Sequence, residues 1–214
     1  MRKTQLAVYF AALSAGLLIT TPSAWAADQT RDVPVFQAIT SQGVFQVTVN
    51  VGQKQSVVLS GSDAALARIE TKVVDSTLVM STPERKHLSD DDKVRISISV
   101  EQLKQFQLEG AGKTELNNLS GERFRLNYQG VGLLKANGKV QTLVIKAEGV
   151  GSINTRDLDA QHVDVSLEGV GSVQVRATES LRAKVDGIGS LTYYGKPARI
   201  SKSVDGIGKV SAGD

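Results

Sequence analysis

Acidic residues recur at one position of a repeat that occupies the second half of the 214-residue chain. Each directly precedes a Gly-x-Gly triplet, and a glutamine holds the same position in one further copy: Glu109, Gln129, Glu148, Glu168, Asp186 and Asp205. If the copies stack as strands, these side chains project outward about 4.8 Å apart, where like charges repel modestly in water and carboxylates could bind Ca²⁺. The pattern favours a solvated acidic ladder. A cation-binding column and a ligand-docking face stay open as alternatives.

Other residues with catalytic potential do not form a recognisable motif. Gly-x-Gly without a third glycine and a following helix is not the pattern of a dinucleotide-binding loop. The two histidines, His87 and His162, are far apart, and Asp90-Asp91-Asp92 is typical of a solubilising loop. The chain has no Cys, which excludes disulfides, thiolate metal sites and cysteine nucleophiles. The sequence therefore predicts no catalytic residue, no metal site and no cofactor, and hence a protein that is not an enzyme.

The Gly-x-Gly triplets indicate how the acidic residues are positioned. Stretches such as Val163-x-Val165-x-Leu167 precede them and alternate like a strand with one buried face. A period of 18 to 20 residues is too short for helical repeats but fits one coil of a parallel β-solenoid, with glycine at the sharp corner. We expect an all-β fold with about six coils, each a strand, a corner, a second short strand and a polar turn. The corner glycines are Gly110, Gly112, Gly130, Gly132, Gly149, Gly151, Gly169, Gly171, Gly187, Gly189, Gly206 and Gly208.

Residues 27–104 are also rich in strand patterns but lack the triplet. Residues 44–51 and 93–100 alternate between apolar and polar side chains, and Ser62–Arg68 predicts a short helix with Ser62 as its N-cap. We expect this part to form irregular early coils and a cap that covers the first edge of the solenoid. The repeats then occupy residues 105–214, and residues 33–210 form one continuous domain.

The first 26 residues have the pattern of a secretory signal peptide. Arg2 and Lys3 precede an apolar run that is shorter than a membrane span, and Ala24-Trp25-Ala26 provides a cleavage site. Removal lowers the formal net charge from +3 to +1, because the segment carries two basic residues and no acidic one. We therefore expect an exported protein, periplasmic, secreted or on the cell surface, with no membrane span after cleavage and no affinity for nucleic acid.

Several segments resemble a known family: Phe36-x-x-Ile39, Gly43-x-Phe45-x-Val47, the strand 76–80 and Leu108-Glu109-Gly110-Ala111-Gly112. Over about residues 33–210 the chain is similar to the family called putative auto-transporter adhesin, head GIN domain. The resemblance implies a right-handed parallel β-helix and export to the bacterial envelope or surface, without an established ligand. No translocator barrel, anchor helix or sorting signal follows the repeats, so self-transport is not expected.

Two functions of different classes remain. The first is an exported, non-catalytic, adhesin-like protein that binds a protein or glycan of the bacterial envelope or surface. The alternative is a carbohydrate-active β-helix enzyme, in which the column acids would be required for turnover. A self-associating structural protein of the envelope is the third option, because an open edge at the last coil could pair with another copy.

Overall fold

The computed structural model describes residues 27–82 and 94–213. The predicted signal peptide 1–26, His87 and the three aspartates 90–92 lie outside the described residues. The described chain contains one short helix, α1, and fifteen strands: β1 Ala27–Thr30, β2 Ala38–Gln42, β3 Val44–Val51, β4 Ser56–Gly61, α1 Asp63–Leu66, β5 Glu70–Val74, β6 Thr77–Ser81, β7 Val94–Val100, β8 Gln105–Leu108, β9 Ala111–Tyr128, β10 Val131–Ala147, β11 Val150–Leu167, β12 Val170–Val185, β13 Ile188–Tyr194, β14 Arg199–Val204 and β15 Ile207–Ala212.

The repeat folds as a parallel β-solenoid, which confirms the predicted class. Strands β9 to β12 pair side by side in parallel, and β12 continues the stack onto β13 and β14. The triplets lie in register, so Gly132 pairs with Gly112 on one side and Gly151 on the other. The solenoid has about five turns, close to the six coils predicted.

Four repeats differ from the prediction in one respect: in each of them a single strand, one of β9 to β12, runs through the polar turn. β9 to β12 are 16 to 18 residues long, although two short strands were expected per coil. An asparagine ladder keeps the turns paired: Asn117 donates to Asn50 at 3.1 Å, and Asn137 donates to Asn117 at 2.8 Å. The chain bends at Asn118 and Gly138, which have positive φ, while inter-coil pairing continues around the bend with a register shift.

The core consists of columns of apolar side chains that run along the solenoid. One column contains a single residue from each successive coil, all at most 1% exposed: Phe106, Leu126, Ile145, Val165 and Ala183. Burial of one such aliphatic side chain stabilises the fold by roughly 1.5–3 kcal/mol. The columns join the coils into one body, because a single coil buries too little apolar surface to fold alone.

The first half forms early coils and a cap, as the sequence predicts. β3 pairs in parallel with β9, and β2 with β8, so residues 38–51 form a coil directly next to the first repeat. β6 and β7 pair with the other side of the same coil. Antiparallel strands β1, β4 and β5 then cover that end. The helix lies between β4 and β5 and is N-capped by Ser62, whose Oγ accepts from Ala65 N at 3.3 Å.

Candidate functional site

The site is the corner at which each Gly-x-Gly triplet crosses from one coil to the next. Two backbone hydrogen bonds tie each of the first five triplet corners to the previous corner, and one of the two is present at the last triplet. The N–H of the residue before the triplet donates to the previous coil, as in Glu148 N to Tyr128 O at 2.8 Å. The N–H of the middle residue donates to the preceding first glycine, as in Val150 N to Gly130 O at 2.9 Å. The corners therefore stack as a straight edge of the solenoid.

Both glycines of a triplet face the backbone of the previous coil with no room for a side chain. A Cβ on Gly149 would lie under 3.0 Å from the carbonyl oxygen of Gly130, and one on Gly151 would come equally close to that of Gly132. The second glycine also has positive φ in four coils, with values of +128 to +151°: Gly112, Gly132, Gly151 and Gly171. The close approach of the previous coil's backbone thus requires glycine at the stacked triplet positions. At the second glycine of the triplet, the positive φ is a further reason for glycine.

The residues that precede the triplets form a column on the outside of the corner, the acidic column. Glu109, Glu148, Glu168 and Asp205 are exposed and Asp186 is half-buried. The structure adds one member that sequence reasoning missed, Gln42, whose Nε2 donates to Glu109 Oε2 at 2.6 Å. Gln129 Nε2 donates likewise to Glu148 Oε2 at 2.9 Å. The repeated tripeptide Gln-Gly-Val at 42–44 and 129–131 is the signal that could have found it.

Lysines on the same strands partly neutralise the acidic column. Lys146 pairs with Glu148, and Lys184 pairs with Asp186. The hydrogen bond to Lys146 and a weaker one to Gln129 hold the pKa of Glu148 below its usual value. The hydrogen bond to Asp186 raises the pKa of Lys184, and the charges of Glu168 and Asp205 raise it further. Two of the five acids in the column, Glu148 and Asp186, are therefore paired with a lysine.

The middle residues of the triplets form a second column beside the first, which we call the aliphatic ridge. Its members pair in register from coil to coil and are Val44, Ala111, Val131, Val150, Val170, Ile188 and Ile207. The valines and isoleucines are 46–78% exposed. Sequence reasoning did not predict that the middle residues of the triplets point outward. The alternation of the flanking strands could have shown it, because the buried Ala147 and Ile153 each lie an odd number of residues from Val150.

Two kinds of feature are not found in the part of the chain that the structure describes. Within 27–82 and 94–213, no three His, Cys, Asp or Glu side chains cluster closely enough to hold a metal ion. His162 lies away from the corner, where its Nδ1 is 2.9 Å from Ser180 Oγ. In the same ranges no helix has the length and apolar character needed to cross a membrane. What the corner presents is a long, regular surface of carboxylates and aliphatic side chains.

The chain is similar to several solved structures. A crystal structure of a putative adhesin from Bacteroides fragilis is 26% identical, with a TM-score of 0.73 over 89% of this chain and 98% of that protein. A putative lipid binding protein from Parabacteroides distasonis is 16% identical, with a TM-score of 0.49 over 88% and 96%. A putative adhesin from Parabacteroides merdae is 16% identical, with a TM-score of 0.48 over 89% and 97%.

No curated protein sequence matches the chain significantly. The sequence profile of one family does match, over residues 35–197, which is most of the chain and includes five of the six triplets. That family is described as putative auto-transporter adhesin, head GIN domain. The repeated Gly-x-Gly triplets form the stacked corners of the solenoid. The chain belongs to this family.

Proposed function

We propose that this chain is an exported, non-catalytic, adhesin-like protein of the bacterial cell envelope that binds a surface protein along the aliphatic ridge. The observation that carries the proposal is the ridge itself, seven in-register positions of which six bear half-exposed or more exposed valine or isoleucine. Contiguous exposed apolar side chains commonly mark interaction surfaces. Family membership and the adhesin from Bacteroides fragilis support the same general role.

The partner that fits this edge is a protein segment with apolar and basic side chains. The ridge would take the apolar side chains, and the acidic column two residues away would face the basic ones. Glu168 is exposed, and its carboxylate accepts a hydrogen bond from Ser166 Oγ at 3.1 Å. Among the described residues, the carboxylate of Asp205 has no hydrogen-bond or ion-pair partner. These two carboxylates are thus the column members most available to a partner.

Export rests on the signal-like pattern of residues 1–26, and the adhesin relationship supports a location outside the cytoplasm. We place the protein in the periplasm, secreted, or at the cell surface, without nucleic-acid binding or a membrane span after signal removal. Absence of catalysis is supported by relatives that are described as adhesins. Self-association through the last coil remains a separate mode of assembly to be tested by sedimentation.

The experiment compares two double variants of the purified chain in pull-downs from envelope extracts. Val150→Ser with Val170→Ser removes apolar surface from the middle of the ridge. Val35→Ser with Val74→Ser is the matched control, since these valines are 77% and 49% exposed elsewhere. We expect the native protein and the control to retain the same envelope protein and the ridge variant to lose it. Equal retention by both variants would overturn the role of the ridge.

A second assay separates binding from the enzymatic alternative. The native protein is incubated with acidic polysaccharides, and the release of new chain ends is measured. We expect no turnover above that of heat-denatured protein. Turnover that disappears on changing Glu168→Gln and Asp205→Asn would overturn the non-catalytic assignment and support a carbohydrate-active enzyme.

A further inference from the structure

A shallow depression of 540 Å³ lies on an outer face of the solenoid, away from the corner. Its floor is made of two in-register columns on the second halves of the long strands. One column runs through Arg123, Thr142, His162, Ser180 and Arg199, and the other through Val144, Asp164, Arg182 and Ser201. On each strand these positions precede the acidic column by four to six residues, which places them about 13–20 Å from it. We call this depression the arginine groove.

The charge of the groove is predominantly positive. Three guanidinium groups, those of Arg123, Arg182 and Arg199, line it together with one carboxylate, that of Asp164. Arg182 Nη1 lies 4.0 Å from Asp164 Oδ2, and the Arg182 side chain is 76% exposed, so this pair is loose. The guanidinium groups of Arg123 and Arg199 have no hydrogen-bond or ion-pair partner among the described residues. Their donors are therefore available to an anion.

The spacing of these groups suits an elongated ligand. Arg123 and Arg199 occupy the same column four coils apart, so about 19 Å separates their backbones. Thr142, His162 and Ser180 lie between them and bear groups that can exchange hydrogen bonds with hydroxyls. Guanidinium groups bind carboxylates with two parallel hydrogen bonds. The groove thus combines cationic ends with a polar middle, and it follows the solenoid axis.

We propose that the arginine groove binds an acidic polysaccharide, a sugar polymer that bears carboxylate groups, lying along the solenoid axis. Sugar hydroxyls meet the polar middle, and separate carboxylates meet the arginines at each end. A single-stranded nucleic acid is a poorer match, because proteins that bind it stack its bases mainly on large aromatic side chains and the lining of the groove contains no Phe, Tyr or Trp.

The test measures binding of polygalacturonate, of uncharged dextran and of a twenty-nucleotide oligothymidylate to the purified chain by calorimetry. The groove variant carries Arg123→Gln and Arg199→Gln. Its control, Lys54→Gln with Arg95→Gln, removes the same charge from exposed positions in the first half of the chain. Thermal melts establish that all three proteins are folded. Because the changed side chains are exposed and their guanidinium groups form no hydrogen bond or ion pair with described residues, we expect the melting temperatures to agree.

We expect saturable binding of polygalacturonate that weakens with salt, no binding of dextran, and a Kd that rises about tenfold or more in the groove variant but not in the control. Absence of polygalacturonate binding, or equal loss in both variants, overturns the proposal. Oligothymidylate bound as tightly as polygalacturonate overturns it in favour of a phosphate polymer. The proposal is independent of the aliphatic ridge, so either can fail while the other stands.

Discussion

Gly149 and Gly151 show how little space the corner leaves for a single residue. Each faces a carbonyl oxygen of the coil before it, at a distance that no real Cβ atom tolerates. The obstructing atom is backbone, which cannot rotate away as a flexible side chain could. The same obstruction recurs in every coil, so any relief at one corner would have to displace the whole stack.

Alanine at Gly151 should therefore destabilise the protein far more than alanine at a glycine with similar backbone conformation and open surroundings. Gly121 is that control, with φ of +129° and no atom within 4 Å of the position that an added methyl group would take, while Gly151 has φ of +149°. We expect Gly121→Ala to cost about 1–3 kcal/mol through backbone strain alone. Gly151→Ala should cost at least about 2 kcal/mol more, or prevent folding. Urea unfolding measures both, and similar costs would contradict the close-approach argument.

Individual strands carry most of the structural information that can be read from the sequence. Alternation placed Phe45, Val47 and Val49 inward, and all three are buried. Alternation is local, so it predicts the face of a residue without knowing which strand lies next to it. The continuous pairing through the polar turns depends instead on contacts between coils, such as the one between Asn50 and Asn117 across 67 residues. No pattern within one strand encodes such a contact.

In the last coil the apolar column ends with a charged residue that is exposed. Lys202 occupies the column position that Ala183 and Val165 hold in earlier coils. Its Nζ donates to the hydroxyl of Tyr193 at 3.3 Å and lies 4.7 Å from the centre of that ring. Inward charges near a sheet edge discourage the addition of another strand. Lys202 thus opposes the edge-to-edge association that an apolar residue would allow.

Lys202→Leu should promote self-association, because leucine would extend the apolar column to the edge of the stack. Lys209→Leu is the matched control, since Lys209 lies on β15 and is exposed. We expect sedimentation velocity to show dimers or larger species for Lys202→Leu at concentrations where the native protein and the control stay monomeric. Monomeric Lys202→Leu would show that the lysine is not what limits association at this edge.

As a whole, the molecule is a stack in which stability depends on neighbours. β11 pairs with β10 on one side and β12 on the other, whereas β14 pairs with β12 alone among the described strands, and all of its residues are exposed. In such a stack, units at an end open more readily than units in the middle. Stability should therefore fall from the central coils toward β14 and β15.

Hydrogen exchange followed by mass spectrometry should reveal this gradient. We expect backbone amides of β10 and β11 to exchange at least about tenfold more slowly than those of β14 and β15 under native conditions. The strands β1 and β5 at the opposite end should also exchange faster than the centre. Uniform protection along the chain would mean that the solenoid opens only as a whole.

The sequence did not reveal that residues 38–51 form a coil of the same stack as the repeats. Residues 38–51 lack Gly-x-Gly, although Gly43 stacks under Gly110 like any corner glycine. This coil has only one corner glycine, because Phe45 occupies the position of the second corner glycine and pairs with Gly112. In the sequence, the recognisable repeat therefore begins only at residue 110. The acidic column was predicted from the repeat, and Gln42 was missed for the same reason.

The placement of residues 38–51 has a consequence for how the chain folds when it is synthesised from the N-terminus onward. This coil appears early and lies between the coil of β6 and β7 on one side and that of β8 and β9 on the other. This coil can therefore pair on two sides. Strands β6 and β7 follow it in the chain and pair with one side, and the other side pairs with β8 and β9, on which every later coil stacks. Growth in one direction follows from this arrangement, with each new coil copying the register of the one before it.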